Sequence, residues 1–296
     1  MDRVLGDKKA IFIFIFPALL LFLAIIVLPI IFSAYYSLLE WGSVGKATFI
    51  GLQNYVELIV NNSDGFREAV LNSVILAGLS VFVQLPIALV IAMILASGVK
   101  GEGFFRSVYF IPVIVSTVVI GQLWMKIYNP QYGVLNSLLK SVGLESWVGE
   151  WLGNTDTALT AAFVPLIWQY IGYHMLLMYA AIKSIPQDIM EAARIDGASP
   201  VKASLAITIP LIKPILEVSV VFAVIGSLKT FDLIYVLTGG GPMHATEVPS
   251  TLMFNTIFHG NKYGYGSAIA IFIIAECLAL TVVIQKIFRA KGETSY

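Results

Sequence analysis

The chain reads as an all-α membrane protein with six transmembrane helices, and three observations carry that expectation. Of its 296 residues, 58% are hydrophobic and 12% charged, with a mean hydropathy of +0.87; a soluble domain is nearer ~45–50% apolar. The apolar residues fall into six runs, each long enough at ~1.5 Å per residue to cross a ~30 Å hydrocarbon core. Lys and Arg are shared unevenly between the connections that separate those runs. The 18 basic and 18 acidic residues cancel, so bulk charge points to neither a nucleic-acid nor an acidic partner. Cys277, the single cysteine, has no internal disulfide partner and reads as a small buried hydrophobe.

The first run, 11–32, is uncharged and follows Arg3, Lys8 and Lys9. It exceeds the ~7–15-residue core of a secretory signal and no small-x-small cleavage site closes it, so it reads as a retained span. The polar connection 33–69 brushes against a phosphate-binding loop at Gly45-Lys46. The spacing fails, with Glu40 in place of the first glycine and Ala47 after the lysine, so the chain shows no nucleotide site. The second span is 70–96, interrupted by Gln84 and Pro86, which membrane helices tolerate where neighbours satisfy the freed carbonyl. A basic loop, 98–106, leads to the third span, 107–127, which contains Gln122 and Trp124. Residues 128–157 are polar and turn-rich, and 158–182 is the fourth span. After a polar stretch, 186–210, the fifth span runs over 211–237. Gly239-Gly240-Gly241-Pro242 then forces a turn, and the sixth span, 265–288, ends in the basic tail Lys286, Arg289, Lys291. The whole chain, 1–296, reads as one transmembrane domain. With the amino terminus inside, the inner connections hold twelve Lys and Arg and the outer ones five, although the outer loops are longer. That bias puts both termini and 186–210 in the cytoplasm.

The stretch 186–210 carries helix signals on both sides of a glycine. Pro186 pre-sets a first helical turn, Gln187 to Ile195 continue it, Gly197 ends it in the left-handed conformation, and Ser199 caps a second helix opened by Pro200. Glu191 suits an arginine of a docking partner, and Gly197 permits close backbone approach. Glu191-Ala192-Ala193, a glycine six residues on at Gly197, Ile207 ten further and then Ile209-Pro210 together resemble the EAA loop of ABC importer permeases. Ile209 departs from the leucine usual there. The resemblance implies that Glu191, Ala192, Ala193, Asp196, Gly197, Ile207 and Pro210 belong to a coupling helix that lies in a cleft of a cytoplasmic ATPase.

Ionisable residues are few inside the spans: Glu217, Lys229, Asp232 and Glu276. Lys229 and Asp232, three apart on one helix face, read either as a structural ion pair or as substrate contacts. The segment Thr230 to Pro242, with Phe231-Asp232 and Leu237-Thr238-Gly239-Gly240-Gly241-Pro242, is similar to that of carbohydrate importer permeases of the MalF type. This second resemblance covers all six spans. It implies a type I ABC importer permease (MetI-like) fold and a second, MalG-like permease. It also implies two ATPase subunits that hold the ATP and Mg, an extracytoplasmic solute-binding protein, and a bacterial or archaeal cytoplasmic membrane. No cofactor is expected in this chain.

Sugars present hydroxyls above weakly apolar ring faces, so a site for them wants aromatic plates and uncharged hydrogen-bonding groups. The fourth span offers Trp168, Gln169, Tyr170, Tyr173 and His174. Tyr170 and His174, four apart, share a face, whereas Trp168 and Tyr173, five apart, do not stack over one another. By offset from Glu191, the resemblance places sugar contacts on Trp168 and Tyr173 before the loop and on Ser227 and Thr230 after it. Gln122 reads as a further contact or as a bond between helices. A stand-alone secondary transporter is the alternative; no matching pair of broken helices is visible to support it. An intramembrane enzyme lacks its motifs, since His174, His244 and His259 are scattered and neither H-E-x-x-H nor G-x-S-x-G occurs.

Overall fold

Proline shapes the apolar helices. It donates no backbone hydrogen bond, and its ring clashes with the carbonyl four residues back. In the computed structural model, which describes residues 8–62 and 64–290, three prolines are each preceded by a widened five-residue π turn. These turns are Leu23–Val27 before Pro29, Ser80–Gln84 before Pro86, and Ser204–Thr208 before Pro210. In each, the amide just ahead of the proline (Leu28, Leu85 or Ile209) reaches back five residues, to the carbonyl of Leu23, Ser80 or Ser204. The helix path therefore continues through the proline.

Where hydropathy alone suggested one domain, the chain forms two compact units. The first comprises residues up to Asp64 together with Met253–Ala275. Helix α1 (Lys8–Phe22) passes through its π turn into α2 (Leu28–Tyr36), and no residue of its most apolar window is buried. A two-stranded antiparallel hairpin follows, β1 (Leu39–Glu40) with β2 (Thr48–Phe49). Asn54 clamps the turn beneath it, its Nδ2 donating to the carbonyls of Ser37 at 2.8 Å and Leu39 at 2.9 Å. Gly264 is required beside it, since a Cβ there would stand 2.0 Å from the Leu39 carbonyl oxygen.

The second unit comprises Gly65–Leu252 and the chain from Glu276 onward. Its helices are α3 (Phe66–Leu79), α4 (Leu85–Ala96), α5 (Glu102–Ile114), α6 (Thr117–Ile127), α7 (Val134–Ser141) and α8 (Thr155–Lys183). Then come α9 (Gln187–Ile195), α10 (Pro200–Ala203), α11 (Lys213–Leu228), α12 (Asp232–Leu237) and α13 (Pro249–Phe254). The long α14 (Tyr263–Ala290) runs from the first unit into the second. Phe163, Leu166, Leu233, Ile234 and Ile120 form one core cluster, and Met175, Met178, Leu85 and Ala223 centre another. Small residues bring α8 close to α5: a Cβ on Gly172 would lie 1.9 Å from the Tyr109 carbonyl oxygen.

Among the described residues, five helices are long and apolar enough to cross a membrane, and six result if the bent pair α5–α6 counts as one span. Several helices overrun the apolar runs, Phe66 rather than residue 70 and Thr155 rather than 158 opening the second and fourth. Backbone hydrogen bonding does not stop where lipid does. Two expectations need correction. The third span, 107–127, is not one rod: α5 and α6 meet at 96°. Val115 and Ser116 are both extended there, with ψ of 138° and 131°. The fifth span, 211–237, is also interrupted, because α11 ends at Leu228 and Phe231, at φ −140° and ψ −65°, leaves the helical region before α12 starts. Among the described residues only α5–α6 is bent sharply; Lys213–Leu237, though interrupted, still reads as one apolar crossing. α6 and α12, the segments beyond the two breaks, pack on each other, and a Cβ on Gly121 would meet Val236 Cγ1 at 2.5 Å.

Beyond α12, the glycine turn is tied down. Gly239 and Gly240 have φ of +61° and +96°, and a Cβ on Gly240 would press on the buried Glu247 carboxylate at 2.7 Å. His244 Nδ1 lies 2.7 Å from that carboxylate, while Asn72 of α3 donates to the carbonyls of Ala245 and Glu247 at 3.1 and 2.8 Å.

Candidate functional site

One cavity of about 390 Å³ is lined by the second helix break, Lys229–Phe231, and by Thr117 beside the first. Irregular backbone at membrane depth survives only inside protein or against a water-filled space, and this cavity supplies the space. One wall is a stripe of α8, Gln169, Tyr170, Tyr173 and His174, at positions i, i+1, i+4 and i+5. The opposite wall takes Ser80 and Gln84 from the two ends of the π turn, Thr117 from the start of α6, Phe222 and Ser227 from α11, and Lys229, Thr230 and Asp232 from the second break.

The lining is graded. Ser80, Gln84, Gln169, His174 and Ser227 are buried, whereas Tyr170, Phe222, Lys229 and Asp232 are exposed. Ser227 donates its hydroxyl hydrogen to the Ala223 carbonyl at 2.8 Å, so Ser80, 3.0 Å away, donates to Ser227. That pair is complete within the protein. Gln169 Oε1 and His174 Nδ1 are buried without any hydrogen-bond partner. Tyr173 stands edge-on to His174, with centroids 5.2 Å apart, and lies 6.4 Å from Phe222.

Of the residues named from sequence, Tyr170, Tyr173, Ser227 and Thr230 meet at this cavity. Trp168 does not line it; one residue off the stripe, it packs edge-on against Trp124 at 5.8 Å. Gln122 is exposed and also lies outside the lining. The same-face pairing of Lys229 with Asp232 fails because the helix is open between them: among the described residues, no ion pair within 4 Å joins the two. Gln84 and Thr117 were missed. Gln84 had stood out as an amide within the apolar run 70–96, and nothing in sequence marked Thr117.

At the other end of α11 from the glycine turn lies the polar hairpin. α9 closes with the Ala198 amide on the Ala193 carbonyl at 2.9 Å and the Gly197 amide on that of Arg194 at 3.0 Å. Gly197, at φ +75°, supplies the left-handed residue this closure needs. Ser199 Oγ accepts from the Lys202 amide at 3.3 Å, capping α10 as its sequence predicts. Glu191, Ala192, Asp196 and Gly197 are exposed, and Ala193 is buried. Ile207 is half-buried and Pro210 exposed where the hairpin rejoins the bundle. Apolar side chains also point outward, Ile195 at 86% exposure beside Val201 and Leu205. At the base of this end, Glu102 of α5 bonds the Tyr179 hydroxyl and pairs with Lys183 Nζ at 3.3 Å, fastening α5 to the last turn of α8.

Residues 84–291 match the family described as "Binding-protein-dependent transport system inner membrane component". The chain is 38% identical over 285 residues to the "Probable ABC transporter permease protein YurN" of Bacillus subtilis, covering 95% of this chain and 97% of that one. It is 35% identical over 288 residues to the "Trehalose/maltose transport system permease protein MalF" of Thermococcus litoralis, covering 97% and 96%. Its fold matches a chain of a bacterial ABC transporter "involved in the import of the acidic polysaccharide alginate", with a TM-score of 0.83 at 24% identity over 97% of this chain and 99% of that one.

Proposed function

The chain belongs to the binding-protein-dependent transport system inner membrane component family, a permease subunit of an ABC importer, and from that premise we propose that its cargo is a sugar or short oligosaccharide. One observation carries the cargo: Tyr170 and Tyr173 line one cavity with Ser227 and Thr230, and the buried polar residues of its lining, Ser80, Gln84, Gln169, His174 and Ser227, include no acidic or permanently cationic group. Aromatic plates opposite hydroxyl and amide groups suit a polyol ring. The names of relatives, which include trehalose/maltose, diacetylchitobiose and xylose/arabinose permeases, support the same class.

In this reading α9 and α10 are the coupling hairpin, docked by Glu191, Asp196, Ile195 and the backbone around Gly197 onto a cytoplasmic ATPase. Two ATPase subunits bind the ATP and Mg, a MalG-like permease completes the pathway, and an extracytoplasmic binding protein delivers the sugar. ATPase closure pushes the hairpin as a rigid body, and α8 carries α5 with it through Gly172 and the Glu102–Tyr179 contact. The Lys and Arg bias supports a cytoplasmic-membrane orientation with both termini inside. Those terminal segments, with Arg3 and Lys291, lie outside the described residues. Broken helices also occur in secondary transporters; family membership speaks against that alternative.

Purification by a tag on this chain, followed by reconstitution with the delivery protein, tests the proposal. An ATPase and a second permease travel with the chain, and at least one of radiolabelled trehalose, maltose, diacetylchitobiose, xylose or arabinose enters ATP-loaded vesicles. Purification alone, or uptake of peptides or amino acids and of none of these sugars, rejects it.

A further inference from the structure

We propose that Gln169 and His174 form the hydroxyl-reading floor of the cavity and set which uncharged ring it accepts. This rests on the sugar reading above and adds to it the residues that discriminate among sugars.

The two side chains are exposed by only 1% and 3%, and among the described residues Gln169 Oε1 and His174 Nδ1 have no hydrogen-bond partner. Buried polar atoms are almost always bonded, so two orphans lining one cavity call for a group supplied from outside. The contrast with Ser80 and Ser227 is direct. Those hydroxyls lie in the same lining, are equally buried, and satisfy each other and Ala223, so they need no ligand.

The chemistry of the missing group follows from what surrounds it. A neutral imidazole has one donor and one acceptor, and a primary amide has both kinds. A hydroxyl, which donates and accepts, fits either. A carboxylate or ammonium entering this floor would be stripped of water with no opposite charge buried beside it, since the charged lining residues, Lys229 and Asp232, are exposed at the helix break. Tyr173, edge-on to His174, holds the imidazole plane while its own ring faces the cavity. A cavity of about 390 Å³ stands near the low end of the ~300–1,000 Å³ typical of ligand clefts. One terminal ring therefore reaches the floor, and any longer saccharide trails past Lys229 and Asp232.

The test compares each transported sugar of the panel with its singly deoxygenated analogues, in the reconstituted transporter carrying wild-type chain, Gln169→Met, His174→Phe or His174→Asn. In wild type, removing one particular hydroxyl lowers uptake about 10- to 100-fold. Gln169→Met and His174→Phe lower uptake of the full sugar by a similar factor but no longer distinguish it from that analogue. His174→Asn, which keeps a donor and an acceptor, restores part of the discrimination. Co-purification of the ATPase at the wild-type ratio shows that the variants assemble. If the variants keep the wild-type preference, or lose all analogues equally, the floor is structural and the proposal falls while the sugar reading stands. If wild type transports no sugar of the panel, the sugar reading falls first and this proposal with it.

Discussion

The cavity floor and the coupling hairpin are both unfinished surfaces, but in opposite senses. At the floor, polar atoms are buried without partners; on the hairpin, Ile195, Val201 and Leu205 stand out with nothing over them. Each arrangement would be costly in a self-sufficient protein. The difference teaches what kind of occupant each awaits. In the proposed reading a cargo must leave, so it meets a mixed wall in which Leu76, Leu166, Phe222 and Leu233 stand beside a few hydrogen-bonding groups. In the same reading a motor must stay, so the proposed seat offers exposed apolar side chains, the carboxylates of Glu191 and Asp196, and a backbone turn at Gly197.

That contrast breaks most readily at the hairpin. Replacing Gly197 with valine puts a β-branched residue at φ +75°, where L residues are strained. Uptake is expected to fall to background while membrane insertion, followed by immunoblot of the membrane fraction, is unchanged; full sugar-stimulated ATPase activity in this variant would remove the coupling assignment. Ile195→Asp tests the apolar half of the same seat. Because the side chain touches little of its own chain, the permease folds normally, and the ATPase co-purifying with it drops about 10-fold or more.

The cavity side predicts smaller and differently distributed effects. Tyr173→Ala removes an aromatic plate and the edge contact to His174, which amounts to ~1–2 kcal/mol and so about 5- to 30-fold in uptake. ATPase association should not change, and a loss of association would mean the two regions are not separable. Ser227→Ala leaves Ser80 to find another acceptor and costs ~1 kcal/mol, a several-fold loss in the same uptake assay. Trp168→Phe and Gln122→Ala sharpen the comparison by doing little. Both positions lie off the cavity, so uptake stays within about twofold of wild type, consistent with the small effects expected away from a site.

The spans and the hairpin were legible because each rests on a local signal. Uncharged runs mark lipid crossings, and the order Pro186, Gly197, Ser199, Pro200 spells two capped helices. The breaks at Val115-Ser116 and Lys229–Phe231 were not legible, since neither contains the glycine or proline that usually marks such a place. They become intelligible only when α6 and α12 are seen packed through Gly121 on Val236, a contact between residues far apart in the chain. The same limit explains Trp168. Carrying a position over from a related loop by counting residues is good to about one residue, and on a helix one residue is a turn of ~100°. Trp168, named by that count, sits one residue off the stripe that lines the cavity and packs beside Trp124.

The widened turn at Ser80–Gln84 has a consequence for how this chain tolerates change over generations. It holds one residue more than an ordinary helical turn, and both of its ends touch the cavity. Deleting a single residue there would collapse the bulge into an ordinary turn, leaving Leu85–Ala96 near their present orientation but removing the widened backbone that presents Ser80 and Gln84 to the cavity. The helix downstream can therefore survive the loss of a residue from that turn, whereas the cavity cannot keep both of its polar ends.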